Sequence, residues 1–210
     1  MNIYILKATK RLYGFIENID KIAKQTVIKV ENILRLPEID IVIYDNPEGA
    51  IPELGVGGFS PSAHLIFIFL NPKFQDFNRT INQELERTLT HELHHCLRWQ
   101  AIGYGKTLLE AMVSEGLADH FDIEVTGQKP QPWDNALTIA QIKKFQKIAE
   151  KEYQKRNYNH EDWFFGSKKK NIPRWTAYTL GFYLIKEYFK RNSNKKASNL
   201  YSLKAEEFLK

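Results

Sequence analysis

The chain has one cysteine, Cys96, in 210 residues, so no internal disulfide can staple it. A lone thiol fits a reducing compartment. Long hydrophobic runs are also missing. The longest uninterrupted apolar stretch is Leu65 to Leu70, far too short to cross a bilayer. The apolar run Ile3-Tyr4-Ile5-Leu6 precedes its nearest lysine, the reverse of a secretory signal. The sequence therefore predicts a soluble protein without membrane contact, located in the cytoplasm. It carries no repeat of 20 to 50 residues and no low-complexity linker, which excludes solenoids and tethered domain arrays.

Charge of one sign is scarce too. Lys plus Arg is 30 against 25 for Asp plus Glu, a net charge of +5. The densest basic run is Lys168-Lys169-Lys170, and no zinc-finger, RRM or KH signature surrounds it. A solvated basic face accounts for it better than a nucleic-acid partner. With 43% hydrophobic residues the chain has enough apolar content for a packed core, so disorder is excluded as its main state.

The hydrophobic pattern predicts strands first and helices afterwards. Residues 8–35 read as helix, with Leu12, Phe15, Ile16, Ile19, Ile22 and Ala23 at helical spacing and Pro37 beyond its end. Residues 39–44 alternate as a strand. Residues 55–63 are rich in Gly, Ser and Pro and read as a loop, leading into an apolar strand at 64–70. Helices follow at about 80–100, 106–124, 134–156, 174–191 and 198–209, with 157–173 an irregular aromatic loop. This order predicts a mostly helical α+β fold, a single domain over 1–210 with residues 1–36 as an N-terminal helical segment.

Within the 80–100 helix lies His91-Glu92-Leu93-His94-His95, an H-E-x-x-H motif. Histidines four apart stand on one helical face and can fill two positions of a tetrahedral zinc site. The glutamate beside them is placed to take a proton from water. With six His and seventeen Glu in the chain, chance gives on the order of 0.01 such motifs. At about 100° per residue, Leu85, Leu89, Leu93 and Leu97 form the apolar stripe, and His94 points away from the His91/His95 pair. A third ligand is expected from the next helix, where Glu115 and Asp119 share a face. Glu115 completes a His₂Glu set, and Asp119 is placed to accept the N–H of a ligand imidazole. Gly116 is expected to let the two zinc-bearing helices approach closely. Cys96 lies on the apolar stripe and reads as a core residue. Gly57-Gly58 lacks P-loop or Rossmann spacing, and the Tyr178–Phe189 stretch reads as a packing face.

H-E-x-x-H followed on a second helix by Glu115-x-x-x-Asp119 resembles the gluzincin metallopeptidases, the thermolysin-like clan. Residues 55–72, 107–119 and the segment Ile172-Pro173-Arg174-Trp175-Thr176-Ala177-Tyr178-Thr179-Leu180-Gly181 are similar to motifs of small bacterial zinc-dependent proteases of unknown function. The likeness covers most of 38–190. It implies a zincin-like domain whose small sheet packs on the motif helix, and a Zn²⁺ ion held by His91, His95 and Glu115. It implies Glu92 as base, Asp119 as partner of a ligand histidine, and a peptide or protein substrate lying along the edge of the 64–70 strand. A Tyr or His that steadies the oxyanion is also implied. Tyr178 is the first choice for it, with Tyr104, His120 and His160 as rivals. Two other classes stand beside this reading: a zinc-binding regulator or scaffold with little catalysis, and a basic nucleic-acid binder. Nothing in the sequence assigns an oligomeric state.

Overall fold

The computed structural model describes residues 1–210, which form two compact units, Met1–Gln100 and Ala101–Lys210. The architecture is α+β. No helix is long and apolar enough to cross a membrane.

The first unit carries a four-stranded mixed sheet in the order β1-β2-β4-β3, with β1 at Asn2–Ile5, β2 at Asp40–Asp45, β3 at Val56–Ser62 and β4 at Leu65–Leu70. β1 and β4 both run parallel to β2, and β3 runs antiparallel to β4. Alternation sets the two faces. Ile41, Ile43, Ile66, Ile68, Leu70 and Val56 are fully buried on one face. On the other, Tyr4, Val42, Phe67 and Phe59 form a row across all four strands and remain half-buried or exposed. This explains why β4 reads as apolar throughout: one side is core, the other an aromatic surface.

Two expectations change here. The 55–63 loop is the strand β3. Accordingly β4 is paired on both sides, and the edge belongs to β3. Gly and Pro weaken a central strand, but an edge strand tolerates Pro61 because no ladder bond is lost on its open side. The N-terminal apolar run, unassigned by pattern, is β1.

Helix α1 spans Ile16–Glu31 and buries Ile19, Ala23, Val27 and Val30 at helical spacing. It is shorter than the periodicity over 8–35 suggests, because Lys10 takes a left-handed φ of 61° and a single 3₁₀ turn at Tyr13–Phe15 precedes it. The motif helix begins as a short turn, α2 (Phe77–Arg79), capped by the Asp76 carboxylate. It widens into a π segment at Thr80–Glu84 and continues as α3, Leu85–Ala101. Leu85, Leu89, Leu93 and Leu97 are buried as their spacing predicts.

In the second unit, α4 spans Leu108–Thr126. A capping box of Thr107 and Glu110 starts it, and Gly127 at φ 68° ends it. Fourteen of its nineteen residues are buried, Glu115 and Asp119 among them, so it is the central helix of this unit. Helix α5 (Ile139–Ala149) is shorter than 134–156 because Thr138 caps its start. The 157–173 segment contains α6 (His160–Phe164), capped by Asn159. Helix α7 (Thr176–Arg191) packs on α4, and residues 198–209 hold only short 3₁₀ turns.

The role of Gly116 differs from expectation. A Cβ there would lie 2.4 Å from the Gly181 carbonyl carbon, and one at Gly181 would lie 2.1 Å from the Met112 carbonyl oxygen. Backbone meets backbone, so the two glycines serve the α4–α7 crossing. The helix that Gly116 admits is α7.

Candidate metal centre

In α3 the motif histidines turn their rings toward one point. The Nε2 atoms of His91 and His95 are 2.9 Å apart, with ring centroids at 4.6 Å. Two zinc-bound nitrogens at about 2.0–2.1 Å from a tetrahedral ion would sit about 3.3 Å apart. The pair is therefore within about 0.4 Å of a bidentate grip, from one face of one helix. The donor set suits zinc, since imidazole nitrogen is among its preferred ligands. His94 is fully buried and outside the pair.

Glu92 sits one residue on and is 5% exposed. Its carboxylate lies against β3. The Ser60 hydroxyl donates to Oε2 at 2.7 Å, and the Glu92 main-chain oxygen is 3.1 Å from the same Oγ. Gly58 passes so close that a Cβ there would fall 2.5 Å from Cγ and 2.6 Å from Oε1. Here glycine is required for space, not for backbone conformation. Two further contacts hold this strand. The Trp99 indole N–H donates to the Ser60 carbonyl at 2.9 Å, and the Cys96 thiol lies 3.8 Å from Ser60 Oγ and 3.5 Å from the Ser62 carbonyl. Burial pushes that thiol up to about 12, so it stays protonated.

The outer side of β3 is partly occupied. The Val56 carbonyl faces the edge side, where it accepts from the Ile51 N–H. By the alternation of an antiparallel ladder, Gly58 turns its N–H and C=O the same way.

In the second unit, Glu115 is 6% exposed on α4. The Tyr104 hydroxyl donates a short hydrogen bond to its Oε1. Tyr104 is itself placed by Ser114, whose hydroxyl donates to the Tyr104 carbonyl at 2.6 Å. Burial first, then the Glu115 charge and the neighbouring Tyr178, raise the Tyr104 phenol well above its usual range. It therefore remains a donor. Tyr158 is pushed up to about 12 by burial and by Glu115 and Glu110. Its hydroxyl pairs with His160 Nδ1 at 3.1 Å, and His160 stacks on Phe164 at 4.2 Å. Burial lowers the His160 pKa, opposed by the nearby Glu115 and Glu161.

Tyr178 packs edge-on against Phe164 at 4.9 Å and tilts toward Trp133 at 6.2 Å. Asp119 is 2% exposed and accepts the Trp133 indole N–H at 3.1 Å. His120 goes elsewhere. It stacks on Phe182 at 4.1 Å, and its Nε2 lies 3.1 Å from the Phe182 carbonyl. That occupies the ring in packing against α7 and removes it from the group near Glu115.

Sequence reasoning thus placed His91, Glu92, His95, Glu115 and Asp119 on the right helices. It missed Gly58 and Ser60, hidden in a supposed loop, and Tyr158. It also missed that Tyr104 binds the Glu115 carboxylate. The run Gly57-Gly58-Phe59-Ser60 just before an apolar strand was the available signal for the first two.

A family model described as Predicted Zn-dependent protease (DUF2268) matches residues 19–210. Neither a curated relative nor a solved structure matches the chain.

Proposed function

Since the chain belongs to this family of predicted Zn-dependent proteases, we propose that it is a gluzincin-type zinc peptidase, with His91, His95 and Glu115 as the three protein ligands of one Zn²⁺ ion. The observation that carries the reading is the facing Nε2 pair of α3 beside a buried, oriented glutamate. Zinc, when bound, polarises the scissile carbonyl and makes water more acidic. Glu92 accepts the proton of the attacking water and returns it to the leaving amine. Asp119 steadies a ligand imidazole. Tyr104 orients the Glu115 carboxylate through its Oε1.

Tyr178 is the proposed donor to the developing oxyanion, with His160 the alternative. Two observations narrow the choice: Tyr104 is engaged by Glu115 and His120 by Phe182. The substrate is a peptide lying against β3, whose Gly58 presents its backbone beside Glu92. A cytoplasmic setting is part of the proposal and rests on the lone cysteine.

The test joins metal analysis to cleavage of a diverse quenched-fluorescent peptide library. One zinc per chain is expected, lost in His95→Ala and Glu115→Ala and kept in His94→Gln. Glu92→Gln should keep zinc and lose cleavage. A chain that takes up no zinc from solution sinks the proposal. Zinc uptake without cleavage of any library member would leave a zinc-binding protein that is not a peptidase.

A further inference from the structure

We propose that Ser60 is a positioning residue for Glu92: its hydroxyl fixes the carboxylate in the orientation from which it takes a proton. This rests on the reading of Glu92 as the base. Ser60 is 6% exposed and is addressed from three positions of one helical face. Glu92, Cys96 and Trp99 stand at i, i+4 and i+7 of α3. The first accepts from its hydroxyl, the second approaches the same oxygen with its thiol, and the third donates to its carbonyl. A hydroxyl has one proton. The carboxylate oxygen at 2.7 Å is the shorter and charge-assisted acceptor, so the proton goes there and not to the main-chain oxygen at 3.1 Å.

The backbone of β3 is shaped for this contact. Its register with β4 is regular from Val56 to Phe59 and shifts before Ser62, with Pro61 following Ser60. Irregularities of this kind re-aim a side chain, at a point where the ladder needs no N–H from the proline. Gly58 closes the carboxylate from the other side. Oε2 is therefore tethered by Ser60, and Oε1 faces a wall that bears no side chain. The carboxylate cannot swing into that wall, and the Ser60 hydroxyl holds it by Oε2. Without the donor it loses a preferred rotation, and the proton-accepting oxygen loses its place relative to the attacking water.

The experiment compares Ser60→Ala, Ser60→Thr and Glu92→Gln in the zinc-loaded full-length chain. It reads zinc content, thermal unfolding, kcat and KM on quenched-fluorescent library peptides, and the crystal structure of zinc-loaded Ser60→Ala. The proposal expects kcat to fall about 10- to 100-fold in Ser60→Ala, with KM and zinc content unchanged. It expects Ser60→Thr to recover most of the rate, and the Glu92 carboxylate to be rotated in the Ser60→Ala crystal. An unchanged kcat, or an unmoved Glu92, overturns it while a dead Glu92→Gln leaves the base assignment standing. A Ser60→Ala chain that loses zinc or fails to fold also overturns it, because Ser60 would then belong to the scaffold. If Glu92→Gln cleaves like the wild type, or the wild type cleaves nothing, the underlying reading falls and takes the proposal with it.

Discussion

Glu92 and Glu115 are both buried carboxylates on long helices, but the two units hold them differently. In residues 1–100, Glu92 is confined by closeness. The Gly58 backbone leaves no room for even a methyl group, and one serine hydroxyl sets the rotation. In residues 101–210, Glu115 is held by the Tyr104 phenol; after burial, its charge helps to raise the pKa of Tyr104 and Tyr158 and opposes the burial that lowers that of His160. The first arrangement is sensitive to added atoms as well as to loss of the Ser60 hydroxyl, the second to loss of the Tyr104 hydroxyl. That difference suits the proposed roles. A base must keep one orientation, whereas a metal ligand is oriented by its ion and needs chiefly its charge and basicity tuned.

The sharpest way to probe this is to add a methyl group in each unit. Gly181→Ala drives a Cβ to 2.1 Å from the Met112 carbonyl oxygen, and backbone cannot yield there cheaply. A loss of about 3 kcal/mol is expected in urea unfolding, the upper end for overpacking. In Gly58→Ala the nearest atoms to the new Cβ all belong to the Glu92 side chain. It should unfold close to wild type while kcat falls about 100-fold with zinc retained. Equal destabilisation by the two substitutions would break the comparison.

Removing the Tyr104 hydroxyl should have the opposite signature. Tyr104→Phe is expected to weaken zinc binding by about 10-fold, measured by competition with a chelator, with little change in kcat at saturating zinc. A fall in kcat with zinc affinity intact would reassign Tyr104 to the reaction itself.

The smallest effect concerns pH. Burial against Phe182 holds His120 below its ordinary pKa of 6.5. The folded pKa is the lower one, so the unfolded chain takes up its proton first as pH falls. The stability contributed by neutral His120 is present above pH 6.5 and declines as acid is added below it. His120→Gln should flatten the slope of unfolding free energy between pH 7 and 5.5. An unchanged slope would remove His120 from the account.

Much of the motif half was legible because α3 obeys its helical period. Leu85, Leu89, Leu93 and Leu97 marked the buried stripe, and the histidines followed from it. α4 was legible for a different reason: Gly127 and Pro130 stop it, while the Thr107–Glu110 capping box that starts it went unread. The failures came where a residue's local preference yields to a distant partner. Gly57, Gly58 and Pro61 each disfavour a strand, yet β3 forms because β4 pairs with it and Glu92 needs the space of Gly58. Gly116 answers to Gly181, far along the chain, and no periodicity reports that. Tyr104 stands between two glycines of positive φ, a segment without any period, so its contact with Glu115 was invisible.

The outer side of β3 has a kinetic consequence. Ile51 already occupies the Val56 carbonyl and Trp99 the Ser60 carbonyl, so Gly58 is left as the one residue between them with both backbone groups facing outward. An extended peptide docking there gains at most two main-chain hydrogen bonds from that residue, each contributing about 0.5–1.5 kcal/mol. On the proposed peptidase reading, so shallow a hold would make for short residence: peptides would arrive and leave quickly, and the choice among them would fall to side-chain contacts.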